Sequence, residues 1–194
     1  MRRVCELVFL FLVLCFGSVQ AAVYSIDPAH STVGFKVRHL VSQVPGTFSK
    51  FSGTIDYDPA APGKGSVETS IETASIDTHN EKRDGHLRSA GFLEVEKYPQ
   101  MTFKSRRVRP AGKDKLEVLG DLTLHGVTKP ATLFVDVSGM TKDPWGGTRT
   151  GFSAITQIKR SDYGIIWNKT LESGGMLLGD DVNISIEIEA VQQK

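Results

Sequence analysis

Cysteine is almost absent from this chain. Its 194 residues hold two, Cys5 and Cys15, both in the N-terminal apolar stretch, which leaves the remainder without a disulfide framework, a thiol nucleophile or a cysteine metal site. Charge of one sign is lacking as well. Lys plus Arg number 23 against 22 for Asp plus Glu, a balance that argues against a nucleic acid or other polyanion as partner. No G-x-S-x-G elbow, P-loop, dinucleotide fingerprint or H-E-x-x-H occurs. The five histidines, His30, His39, His79, His86 and His125, are spaced unlike any standard zinc or iron ligand set. These absences point to no catalytic residue, no metal and no cofactor.

Long apolar runs are also missing, with one exception near the start. Met1-Arg2-Arg3 is followed by an apolar run from Leu7 to Phe16 and then by Gly17-Ser18-Val19-Gln20-Ala21, the order of a secretory signal peptide. The run is well short of the roughly 20 residues that span a bilayer, so no stable membrane insertion is expected. Residues 1–21 read as a signal peptide cleaved near Ala21, and residues 22–194 as one domain exported to the periplasm. Loss of Arg2, Arg3 and Glu6 with that segment brings the formal charge to about zero.

What the rest of the chain has in abundance is alternation. Val33, Phe35, Val37 and His39 fall on one face of a run whose other face carries Thr32, Lys36 and Arg38, and Phe51, Ile55 and Tyr57 oppose Ser52, Thr54 and Asp56. Such a period of two marks half-buried antiparallel strands. Further runs cover 67–76, 101–108, 116–124, 132–137, 151–158 and 182–190, about eight strands in all. One interruption stands out: Thr78-His79-Asn80-Glu81 fits a capping box, predicting a short helix through about Ala90 that Pro99 closes off. Phe92, Leu93 and Val95 form an apolar knot between that helix and the next strand. The expected fold is all-β, an extended antiparallel eight-stranded lipocalin-like barrel with a short helical insertion, because closure protects strand edges.

Other residues invite chemical readings and receive structural ones. His125 lies in Leu124-His125-Gly126-Val127, a segment suited to a tight turn, and Arg83, Asp84, His86 and Arg88 suit the solvated face of a short helix. The aromatic residues, among them Phe35, Phe48, Phe51, Phe92, Phe103, Phe152 and Trp167, fit a packed core or the lining of a cavity equally well.

Five blocks together resemble the YceI family of secreted, lipocalin-like lipid-binding proteins. They are Tyr24-Ser25-Ile26-Asp27-Pro28-Ala29-His30-Ser31 with Phe35 to Leu40, Ser75 to Thr78 with Arg83 to Ser89, Phe92 to Pro99, Gly120 to Pro130 and Ile158 to Ile165, in that order. Gly91 stands where the family more often has an acidic residue.

The resemblance implies a barrel closed partly by the helix, whose interior binds a polyisoprenoid chain or isoprenoid quinone for transport or storage. On it, and on the alternation, the lining is expected at Val33, Phe35, Val37, Phe51, Ile55, Phe92, Phe103, Leu122, Leu124, Phe152 and Ile165, with His30, Arg38, His86 or Arg88 near a mouth that meets the headgroup. A small enzyme acting on an isoprenoid lipid in the same cavity, and a solidly packed partner of a membrane complex, are the competing readings. A homodimer stays open.

Overall fold

The computed structural model describes residues 22–172 and 174–194. The expected signal peptide, with Cys5 and Cys15, lies outside them. Alternating apolar residues form eleven strands and one helix: β1 Ala22–Ile26, β2 Thr32–His39, β3 Ser42–Phe48, β4 Phe51–Tyr57, β5 Ser66–Glu72, β6 Ile76–Asp77, α1 Glu81–Arg88, β7 Gln100–Gly112, β8 Lys115–Leu124, β9 Val127–Lys142, β10 Thr148–Lys159 and β11 Leu178–Gln192.

Eight of the strands close a barrel in the order β1-β4-β5-β7-β8-β9-β10-β11. β11 returns to β1 through the pairs Tyr24 with Gln192 and Ile26 with Ala190. Every neighbouring pair is antiparallel, so the wall leaves no free edge in this section.

The other three strands continue the first three wall strands past a bend. β1 and β2 both lie along β11, β1 on its C-terminal part and β2 on residues Leu178 to Glu187. Between them Asp27 accepts from the Ala29 N–H and opens a 3-10 turn at Pro28–His30. β3 and β4 break at Ser49 and Lys50, and β5 and β6 at the 3-10 turn Thr73–Ser75. The last two breaks are stitched together: the Ser49 N–H donates to Ser75 O, the Lys50 N–H to Ser75 Oγ and the Glu72 N–H to Lys50 O. The first three wall strands therefore bend together, and the apolar residues divide into one cluster around Tyr24, Ile55, Val118 and Phe152 and another around Val33, Phe48, Phe92 and Ile165.

Past the bend the wall has a gap. β6 pairs with β3, while β7 pairs with β5 and β8. α1 and residues 89–99 cover the space between β6 and β7. The Leu93 and Val95 N–H groups donate back to Leu87 O and Arg88 O. Arg88 donates from Nε to Ala74 O and from Nη2 to Ile76 O, satisfying carbonyls beside the exposed edge of β6.

The helix begins later than the capping box suggests. Asn80, not Thr78, is the N-cap, its side chain accepting from the Arg83 N–H. Thr78 is buried, and its N–H and hydroxyl both donate to Asp84 Oδ1. A hydroxyl committed to a carboxylate inside the insertion cannot cap the helix. β3 was hidden for a different reason, since it carries Pro45 and Gly46. Its pairing with β6 is confined to Thr47 and Phe48, so Pro45 faces no ladder partner on that side.

The seam where β11 meets β1 is held by Arg149 of β10. Its Nη1 donates to Asp27 Oδ2 and Glu189 Oε1, and its Nε to Asp143 Oδ2. The hydrogen bond from Arg149, with that from His30, brings the Asp27 carboxyl from its ordinary 3.8 down to about 2. A carboxylate whose folded value lies below its unfolded one contributes stability above the unfolded value and loses it as the pH falls through the folded one. Urea midpoints should therefore decline between pH 3.8 and about 2, and Arg149→Met should lower the midpoint at neutral pH while flattening that acid decline.

Candidate functional site

The pleat sends alternate side chains of each wall strand inward, and they enclose a cavity of about 380 Å³. That lies within the range of small-molecule sites, roughly 300–1,000 Å³. β2 contributes Val33, Phe35 and Val37, β4 Phe51 and Ile55, β7 Phe103, β8 Leu122 and Leu124, β10 Phe152, and the segments after the helix and after β10 add Phe92 and Ile165. All eleven apolar positions expected from the sequence thus line one continuous space, which reaches from Val108 and Leu116 at one end to Val44 and Leu178 at the other.

Reasoning from the sequence left out several lining residues that the same rule could have found. Val182, Ile184, Ile186 and Ile188 form the inner face of β11, the most regular alternation in the chain. On β10, Phe152, Ala154, Thr156 and Ile158 face inward and Ile155 is exposed. Alternation fails within β7, where Phe103 and Val108 both face inward; the register shift between Ser105 and Arg107 changes the phase of the strand.

The four charged residues expected near the mouth are absent from the lining. His30 bonds Asp27 Oδ2 beside Arg149, outside the barrel. Arg38 turns back along its own hairpin, with Nη1 donating to Leu40 O. Arg88 is held by the β6 carbonyls. His86 comes nearest, its ring set edge-on against both Phe92 and Trp167 at 4.9 Å.

Other polar side chains line the cavity instead. Arg83 donates from Nε to Thr78 Oγ1 and from Nη2 to Thr78 O, both at 2.7 Å, and Arg83 and Thr78 both face the cavity. Arg160, only 7% exposed, donates from Nε to Gly179 O and from Nη1 to Ile165 O and Trp167 O. Burial lowers its pKa from the usual guanidinium value. His39 joins them from the end of β2, where it pairs with Leu178. Asp56 lines the opposite end, and its Oδ1 is buried without a hydrogen-bond partner among the described residues.

His125 and Gly126 both have positive φ, 51° and 73°, in the two-residue link between β8 and β9, the backbone of a tight hairpin turn. His125 Nδ1 lies 3.0 Å from Tyr163 O, and its ring packs against Tyr98. Among the described residues, the His, Cys, Asp or Glu group close enough to hold a metal is Asp27, His30 and Glu189. It lies outside the cavity, and Arg149 donates to two of its members.

Residues 24–190 match the family model of the YceI-like domain. The chain belongs to the YceI-like family. It is 44% identical over 191 residues to the protein YceI of Escherichia coli O157:H7, covering 97% of this chain and 96% of that one. Among solved structures, BcnA of Burkholderia cenocepacia superposes with a TM-score of 0.76 at 27% identity, covering 84% of this chain and 98% of that chain. A polyisoprenoid-binding domain from Saccharophagus degradans has the same fold, with a TM-score of 0.63 at 19% identity and coverage of 89% and 99%. The closed antiparallel barrel with one short helix is thus the architecture of the YceI-type proteins.

Trp167 joins the helical cover to the wall, because its ring meets His86 and Phe92 while its carbonyl accepts from Arg160. Trp167→Ala removes a large, partly buried ring and should cost about 2–4 kcal/mol, somewhat under the value for a fully buried aromatic. Hydrogen exchange should show faster exchange in Glu81–Arg88 than in β9 or β10.

Proposed function

We propose that the protein binds a long apolar lipid of the polyisoprenoid or isoprenoid-quinone type inside the barrel and carries or stores it in the periplasm. The observation that carries this reading is the continuous apolar cavity running the length of a wall that needs no filled core to complete its hydrogen bonds. The name of the Saccharophagus degradans domain points the same way, as does the signal-like order of residues 1–21.

A flexible hydrocarbon suits such a site energetically. Burial stabilises by about 0.8 kcal/mol per methylene, so a five-carbon isoprene unit contributes up to roughly 4 kcal/mol before ordering and association costs. The lining offers the tail almost no polar group to match, so affinity should rise with chain length. An enzyme acting on the same lipid would need a nucleophile and a base converging on one point. The cavity instead brings together guanidinium and hydroxyl groups already bonded to backbone and to each other. A solidly packed partner protein would have no such cavity.

Native and denaturing mass spectrometry of protein purified from its own periplasm tests the reading. It expects a stoichiometric prenyl compound in the organic extract, and an empty protein would overturn it. Phe35 lines the cavity and packs its ring 5.6 Å from that of Phe48. Phe35→Glu places a carboxylate among apolar neighbours and should reduce lipid recovery severalfold. Full recovery in a folded Phe35→Glu variant would remove Phe35 from the site.

A further inference from the structure

Apolar side chains are exposed together at one end of the barrel. The two-residue link between β2 and β3 is Leu40-Val41, with Leu40 at a positive φ of 52°. Such links favour Asn, Asp or Gly, and two others in the wall keep to polar residues and glycine: Lys113-Asp114 joins β7 to β8, and His125-Gly126 joins β8 to β9. Here both residues are apolar, and Val41 is fully exposed. The segment leading into β11 lies alongside, because the Leu40 N–H donates to Leu177 O and the Leu177 N–H to Lys169 O. The Asn168 side chain fastens it further, donating to Leu178 O and accepting from the Leu178 N–H. Met176 and Ile166, on these segments, are 50% and 75% exposed. Three adjoining stretches of chain thus carry Ile166, Met176, Leu40 and Val41 into solvent.

Cations accompany them. Arg38 donates from Nη1 to Leu40 O and from Nη2 to Met176 O, which ties the link to the next segment and holds a guanidinium at their junction. Lys169 is exposed, as is Lys36 on the outer face of β2. None of the three forms an ion pair among the described residues. Residues 36–44 hold Lys36, Arg38 and His39 and no acid, and residues 164–177 hold Lys169 against Glu172. The cavity reaches this end, where His39, Val44 and Leu178 line it.

We infer that the Leu40-Val41 link, with Met176 and Ile166 beside it, is a docking tip for an anionic lipid bilayer: the apolar side chains enter the interface while Arg38, Lys36 and Lys169 meet the headgroups. Exposed apolar side chains rimmed by cations bind such a surface through buried area plus attraction to anionic lipid. A protein partner fits less well. Four side chains, two of them only about half-exposed, fall short of the roughly 800 Å² per partner that a stable protein interface buries. The purpose of the tip rests on the lipid-carrier reading above, since a carrier of membrane-borne cargo must bring one end of its cavity to the membrane.

Cosedimentation of the purified protein with vesicles free of prenyl lipid reads docking without cargo. Vesicles of phosphatidylcholine with phosphatidylglycerol should retain the protein severalfold better than phosphatidylcholine alone, and less so as salt rises. Val41→Glu puts a carboxylate at the tip, at a side chain that packs against nothing, and should lower vesicle affinity by about tenfold or more. Lys169→Gln should lower it by about fivefold. Both variants should keep the wild-type thermal midpoint and the wild-type capacity for geranylgeraniol added in detergent solution, because neither residue lines the cavity.

Absence of binding to either vesicle, or equal binding by wild type and Val41→Glu, would overturn the docking tip and leave the carrier reading standing. Docking by a protein that yields no prenyl compound in the organic extract would uphold the tip and overturn the carrier reading alone. A wild-type dimer that Val41→Glu dissolves, with no vesicle binding by either, would overturn the membrane and assign the tip to a second copy of the chain.

Discussion

Closure of the sheet onto itself is the constraint from which the other features follow. In an open sheet the edge strands need covering and the faces need something to pack against. Here the β1 to β11 pairing gives each wall strand a hydrogen-bonded neighbour on both sides, so the wall's backbone polar groups are satisfied without reference to the interior. The inside is then free to remain a space. That the closing seam carries Arg149, with three carboxylates converging on its guanidinium, fits its importance. It is the place where the two ends of the described chain meet, and strands far apart in sequence have the largest entropic cost of coming together.

A tube closed uniformly along its length would offer no lateral access. The bend across the first three wall strands resolves this, because past it the pairing between β6 and β7 is absent and a helix takes the place of a strand. The cover is secured by a few side chains and turns, Arg88 on the β6 carbonyls and Trp167 on His86 and Phe92, not by a continuous ladder. Local openings draw on the least stable parts of a fold, and this is the section of the wall with the fewest interstrand bonds. Arg83 of that helix lines the cavity, as does Arg160, which donates to the Trp167 carbonyl.

The wall was legible in the sequence because alternation is a local signal with one physical cause. Val33, Phe35 and Val37 share a face in any strand, and only a shift of register could send them outward. The bends were not legible, since Ser49-Lys50 and Thr73-Ala74-Ser75 become breaks through hydrogen bonds to one another across strands. The charged residues near the mouth divide on a similar line. Arg38 and Arg88 have long side chains that fold onto backbone carbonyls, Leu40 and Met176 for the first and Ala74 and Ile76 for the second, which alternation does not foretell. Arg160 did leave a sign: it continues the inward series Phe152, Ala154, Thr156, Ile158 by one more step of two, a cation on the apolar face of a strand. For Arg83 no local pattern exists, because its orientation depends on a Thr78 hydroxyl positioned by Asp84.

A hollow core has an energetic consequence for how such a barrel behaves. Unfilled apolar space costs on the order of 20–25 cal/mol per Å³ where a packed core would have filled it, and the lost dispersion contacts have no substitute while the space stays unoccupied. The side chains that would have closed it are small or spread around the circumference, as with Ala131, Ala154 and the isoleucines of β11. An apolar chain that enters restores those contacts, and it does so only in the folded barrel, because the unfolded chain offers no enclosed surface. Binding and folding are then coupled: occupancy adds stability in proportion to the logarithm of ligand concentration over its dissociation constant. The same absence of packing that weakens the empty barrel is what gives a long apolar ligand its affinity, so a substitution that fills the cavity should stabilise the protein and weaken its binding together.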